Sequence, residues 1–251
     1  MDFFKEKISP YIAIVITLLL TGIFALPIKN FILRNNPSTV SIDTMKASIG
    51  AGVVFETLGG YKSLASDFAW IKSYVDWTRK DAPACLSAME LAISLDPQSV
   101  MFWKDAAAIT AFDFPHWSYI AISPNARNNK IFARIKSRYG REAIRLLDRG
   151  LLIHPENFDL LTQKANIAMS NLNDFKTAEE CYEPLAKKAN APIYVLRRYF
   201  SLLLKNGKFA QAIKVGERIL KEAEADSPLR PIISNQILSA KKLVEKVEIK
   251  K

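Results

Sequence analysis

Two hydrophobic patterns divide the chain. Residues 8–28, between Lys7 and Lys29, carry no charge, and beyond them apolar positions recur at the spacing of amphipathic helices. In the first pattern Ser9 suits a helix N-cap, and Pro10 suits the first turn, where its missing N–H costs nothing. About twenty residues span the roughly 30 Å hydrocarbon core of a bilayer. The sequence therefore predicts a short tail at 1–7, a transmembrane helix at 8–28 and a juxtamembrane linker or helix at 29–57. A cleaved signal peptide is the competing reading, but it calls for a shorter apolar run and a small-x-small cleavage site. Ile23-Phe24-Ala25 before Leu26-Pro27 fits that site poorly, and no cysteine follows the run to suggest a lipoprotein. Lys5 and Lys7 precede the span and Lys29 and Arg34 follow it, so the basic flanks balance. The short tail favours a cytoplasmic N-terminus with the large domain outside, since long domains translocate largely regardless of charge.

The second pattern repeats. Leu95-Asp96-Pro97 and Ile153-His154-Pro155 each close an amphipathic helix and precede another. Ahead of Pro97, Cys85, Met89 and Ala92 run small, large, small; ahead of Pro155, Ala143, Leu147 and Gly150 do the same. After each proline a bulky residue is followed by a small one, Trp103 then Ala107, and Leu161 then Ala165. Asn173-Asp174-Phe175 makes the next turn, and Ala178 and Tyr182 continue the pattern with about one residue of slippage. Leu196, the turn Asn206-Gly207-Lys208-Phe209, and then Ala212, Gly216 and Ile219 form a last unit. Pro231 opens a terminal helix through Val247 that would cap the exposed end. Small residues let paired helices approach, and large ones fill the remaining volume.

Those spacings match the small and large positions of the 34-residue tetratricopeptide unit. Over roughly residues 61–250 the chain resembles that repeat family. The resemblance implies an all-α fold, a solenoid of about four helix pairs over residues 58–251 with a C-terminal capping helix. Leu58-Gly59-Gly60-Tyr61-Lys62-Ser63-Leu64-Ala65-Ser66-Asp67-Phe68-Ala69-Trp70 also resembles the opening of a group of bacterial membrane-anchored tetratricopeptide proteins. That likeness implies an inner-membrane protein with an extracytoplasmic repeat domain, and no reaction. Packing alone reads the same stretch as a tight turn with Tyr61 and Trp70 in the first layer.

Between Trp103 and Ala143 the unit is about 24 residues too long, with the surplus at about 112–130. Insertions in repeat arrays project as loops, so an aromatic loop bearing Phe112, Phe114, Trp117 and Tyr119 is expected. It either folds back as a small cluster or touches a partner or the bilayer interface. Next, Arg134, Arg138, Arg141, Arg145 and Arg149 fall on one helix face, with Ile135, Tyr139, Ala143, Leu147 and Gly150 on another. Only Glu142 and Asp148 offset them locally. The stripe is either a solvated face or an anion-seeking surface for lipid headgroups or an acidic protein, with Trp117 and Tyr119 as companions.

The resemblance places the ligand groove on first-helix positions, here Met101, Lys104 and Ala108, then Thr162 and Asn166, then Tyr194, Arg197 and Ser201. Lys104 and Asn166 suit the carboxylate-clamp subtype, but its companion residues are missing. The net charge of +10 is too diffuse to suggest nucleic acid. Cys85 and Cys181 have no metal or disulfide spacing and read as buried free thiols, and His116 and His154 as loop or cap residues. No glycine-rich phosphate loop, nucleophile elbow or zinc motif is present, so neither an enzyme nor a cofactor is expected. The chain reads as a membrane-anchored scaffold or assembly factor that binds protein partners of a membrane complex through the groove. The alternative is a membrane-surface module binding anionic lipid through the arginine stripe and the aromatic insertion.

Overall fold

A computed structural model describes residues 61–224 and 226–248, and these contain helices and no strand. The helices are α1 (Lys62–Thr78), α2 (Ala82–Leu95), α3 (Val100–Ile120), α4 (Asn129–Ile153) and α5 (Phe158–Ile167). They continue as α6 (Phe175–Lys187), α7 (Ile193–Lys205), α8 (Phe209–Glu222) and α9 (Leu229–Glu248). A 3₁₀ turn (Pro124–Ala126) precedes α4, and a π-helical turn (Ala168–Leu172) extends α5. Each helix packs on the next in chain order, and α3 also packs on α5. The predicted transmembrane segment lies outside the described residues, among which no helix is long and apolar enough to cross a membrane.

Helix starts follow from their caps. Asp81, Asn128, Asn157 and Asp174 each accept backbone N–H groups of the first turn, with Asp81 followed by a proline inside that turn. At the end of α7, Gly207 has φ of 74°, its N–H donates to the Leu204 carbonyl, and Lys208 N–H donates to Leu203. This paired closure needs a left-handed residue, which glycine supplies without steric cost. The Asn206 amide next to it donates to the Phe175 carbonyl at 3.0 Å and to Glu179 at 2.7 Å, while Lys208 Nζ reaches the other Glu179 oxygen at 2.6 Å. The buried Glu179 carboxylate is thus bonded on both oxygens by the turn that follows α7.

The small and large positions are where the sequence puts them. Cys85, Met89, Ala92, Ala107, Ala143, Leu147, Ala165, Ala178 and Ala212 are fully buried, and Trp103, Leu161, Tyr182 and Leu196 nearly so. They form two apolar clusters that share Ile144 and Leu151 on α4, so the core runs continuously along the stack. The close contacts leave no slack. A Cβ on Gly150 would meet the Trp103 ring at 3.0 Å, and one on Gly216 would meet Ile237 at 2.8 Å. At the turn before α3, Trp103 Nε1 donates to the Pro97 carbonyl at 2.9 Å, and His154 Nε2 from the end of α4 lies 3.2 Å from the same oxygen. On α1, Leu64, Phe68 and Ile71 are exposed.

Three expectations change. Residues 112–120 are helix rather than loop, because the surplus length is divided between α3 and α4. Phe114 is buried against Trp117 and Tyr139, and Tyr119 lies 4.9 Å from Phe132, so the aromatics hold the long pair together. His116 is an exposed helical residue, whereas His154 caps α4 as expected. Tyr61, expected in the first layer, is 49% exposed beside the start of α1.

A proline inside a helix normally ends or bends it, since it removes the N–H that would bond four residues back. Pro115 sits inside α3, and the carbonyl it leaves without a donor is that of Ala111. Asn171 Nδ2 donates to that carbonyl at 2.7 Å from the π-helical turn. The turn holds one more residue than an α-helix would, which accounts for the slippage at Ala178. Asn171 can come this close only because Gly140 of α4 has no Cβ; an added one would lie 2.7 Å from Asn171 Cβ.

Two outcomes are expected. Asn171→Leu costs about 1–3 kcal/mol in urea unfolding, the penalty for an unsatisfied buried carbonyl. In a Pro115→Ala background, where residue 115 can donate to Ala111, that cost shrinks; strictly additive effects would refute the assignment. Separately, Thr177 donates its hydroxyl (2.6 Å) and backbone N–H (3.0 Å) to Asp174, which holds that carboxyl below its usual range. A depressed pKa contributes stability above the unfolded value and loses it as pH falls through the folded one. Asp174→Ala, which removes the N-cap, should cost about 1 kcal/mol at neutral pH, with the gap from the native chain closing as pH falls below the ordinary carboxylate range in urea melts.

Candidate binding surfaces

Odd-numbered helices adjoin one another as well as their chain neighbours. Trp70 of α1 stacks on Phe102 of α3 at 4.8 Å, and Trp77 donates its indole N–H to Asp113 of α3 at 3.0 Å. Helix α3 adjoins α5 directly, and Phe158 of α5 meets Tyr194 of α7 edge to face at 6.1 Å. The expected groove residues lie on this row. Asn166, Arg197 and Ser201 are exposed and make no side-chain hydrogen bond among the described residues. Tyr194 is 52% exposed, its ring set nearly perpendicular to that of Phe158. Lys104 is half-buried with only its neighbour Asp105 nearby, at 3.9 Å. Thr162 differs from its companions, because its hydroxyl is turned onto the Phe158 and Asp159 carbonyls of its own helix. That leaves an amide, two cations, a hydroxyl and an aromatic ring along the row.

The five arginines of α4 do not act as one stripe. Arg149 pairs with Glu90 of α2 at 3.2 Å and lies over the Trp103 ring, and Arg145 pairs with Glu142 at 3.0 Å. Asp148, read as an offset to the stripe, instead binds Lys164 of α5 at 2.6 Å. Arg138 lies over the Tyr139 ring at 4.5 Å. Only Arg134 and Arg141 line an open cleft between α4 and the π-helical turn, together with Lys136. Lys136 was missed because it falls between the three- and four-residue steps that define a helical stripe. Trp117 is half-buried against Trp77 and Phe114, and Tyr119 against Phe132 with Arg127 over its ring.

Other candidate chemistry is inward-facing. Cys85 and Cys181 are both buried free thiols, and burial pushes each thiol up to about 11. Among the described residues no three His, Cys, Asp or Glu side chains gather where they could hold a metal ion.

The chain matches no family model, no curated protein and no solved structure.

Thiol reactivity gives a direct check on this core. At about pH 8 roughly one thiol in a thousand would be ionised at these values. An aromatic disulfide reagent should therefore leave both cysteines unmodified in the folded chain and label both in concentrated urea. Rapid labelling of either in the native chain would mean its helix pair is not closed as described.

Proposed function

We propose that the chain is a tetratricopeptide-like solenoid, held to the membrane by residues 8–28, that binds a protein partner along the row α3, α5 and α7. Its role is that of a scaffold or assembly factor for a membrane complex, with the repeat domain outside the cytoplasm. The observation that carries this reading is the division of labour along those three helices. Buried Trp103, Leu161 and Leu196 anchor one face, while Lys104, Asn166, Tyr194, Arg197 and Ser201 leave polar and aromatic groups on another. An exposed amide and cations on rigid helices suit an extended peptide or helix, recognised by hydrogen bonds and shape. Anchoring confines such a module to two dimensions and raises its effective concentration for a membrane partner. Catalysis has no support in the motifs, so the reading is of an interaction protein without a cofactor.

The test is photo-crosslinking in cells from Asn166 and Arg197, with exposed Glu180 on α6 as the control. A discrete protein adduct from the first two sites, absent from Glu180, is the expected result. Adducts from Glu180 alone, or none from the row, would overturn the groove reading.

A further inference from the structure

Helices α3 and α4 are longer than the pair that follows them, and the excess makes a second surface. Beyond Gly140, where Asn171 closes against α4, the N-terminal part of α4 continues past the end of the π-helical turn. The step between them is an open cleft of about 720 Å³. Arg134, Lys136, Ser137 and Arg141 form one wall, Ser170 and Asn173 are on the other, and no carboxylate lines it.

We propose that this cleft binds a phosphate or diphosphate group. Three cations facing one space without an acid repel one another, and the bound state of such a site is an anion-filled one. The groups are also free to act. Neither Arg134 nor Lys136 has a side-chain hydrogen bond or ion pair among the described residues, in contrast to Arg145 and Arg149 on the same helix. Arg141 donates one Nη1–H to Ser137 Oγ at 2.7 Å, which steadies the guanidinium and leaves its remaining donors available. Ser137 accepts that bond, so its own O–H remains to donate to an anion. Arg134 and Arg141 are separated by two turns, about 10 Å along the axis, a distance their long side chains close around a diphosphate. Guanidinium forks suit the tetrahedral oxygens of phosphate, and Lys136 adds a further point charge to the lining of the same cleft. Phe132 and Leu172 line the same cleft and give an apolar rest for whatever carries the phosphate. That carrier is either a soluble phosphate ester or a lipid headgroup. The site lies on α4 and stands independently of the protein-binding row.

The test is calorimetric titration of the full-length chain, in non-ionic detergent, with inorganic pyrophosphate. Saturable one-to-one binding is expected, weakened at least about tenfold by Arg134→Ser with Arg141→Ser and also by Lys136→Ser. Arg145→Ser, which removes an arginine already paired to Glu142, should change it less than about twofold. Absence of saturable binding, or equal losses for Arg145→Ser, would overturn the site in favour of diffuse positive charge. Succinate binding as tightly as pyrophosphate would overturn it in favour of an acidic protein ligand. The source is then read by hydrogen exchange of the chain in phosphatidylcholine nanodiscs with and without phosphatidic acid. Protection at 132–141 and 170–173 that appears only with phosphatidic acid supports the site and assigns a lipid headgroup. Unchanged exchange, alongside pyrophosphate binding in solution, supports it and assigns a soluble phosphate.

Discussion

Pro115 deprives the Ala111 carbonyl of its helical donor, and the way that carbonyl is satisfied shapes the middle of the molecule. The donor is the side-chain amide of Asn171, sixty residues further along the chain. A buried carbonyl without any donor would cost about 1–3 kcal/mol, so this bond weighs on whether α3 stays helical through the proline. With α3 intact to Ile120, its last turns need a partner of equal reach, and α4 supplies it through Tyr139, which meets Phe114 and bonds Ser118 at 2.9 Å. Delivering Asn171 to Ala111 requires two concessions nearby. Helix α5 takes up an extra residue in a π-helical turn, and α4 carries glycine where the turn crosses it. The same crossing marks where α5 stops covering α4, which is why a cleft opens beyond it.

Elsewhere the units are joined by the same means, a side chain donating to a carbonyl that a helix end or turn has left free. Arg218 of α8 reaches the Ala186, Lys188 and Ala189 carbonyls at the end of α6 with distances of 2.6 to 3.0 Å. Arg230 of α9 does this for Leu220 and Ala223 at the end of α8. The last carbonyls of a helix have no intrahelical donor and carry its negative dipole end, so a guanidinium serves them both as donor and as charge. Where helices pack mainly on their neighbours in the chain, such bonds fix the angle between them while the apolar residues fix their distance. Apolar contact alone is not directional.

How much of this was legible follows from how far away each cause lies. Small and large alternation at Cys85, Met89 and Ala92, or at Ala143, Leu147 and Gly150, is a local pattern, and burial follows it residue by residue. The helical course of residues 112–120 was not legible, because a proline among aromatics reads as a break and the compensating donor comes from another unit. The slippage at Ala178 was visible as a number without a cause, since a π-helical turn has no sequence signature at this scale. Spacing alone puts five arginines on one helix face, yet it could not see Glu90, which approaches Arg149 from α2. For the groove, exposure at Asn166, Tyr194, Arg197 and Ser201 agrees with their register. The Thr162 hydroxyl was not predictable, because a local bond to its own helix competes with any ligand.

The charge of α4 therefore divides by function along its length. Its C-terminal half spends Arg145 and Arg149 on carboxylates and an aromatic ring, and Asp148 of the same half holds Lys164, tying α4 to α2 and α5. Such partly exposed pairs contribute little stability each, up to about 1 kcal/mol, so their effect is on orientation more than on energy. Its N-terminal half gains nothing structural from Arg134 and Lys136, whose charges meet no acid among the described residues. A helix that neutralises its cations where neighbours cover it, and leaves them bare where its neighbour stops short, has kept a field at one place and removed it at another. That place is on an even-numbered helix, while the exposed polar groups of α3, α5 and α7 occupy the odd-numbered row. The Asn171 turn, which touches α3, α4 and α6 at once, lies beside the cleft and holds it in fixed register with the rest of the helices.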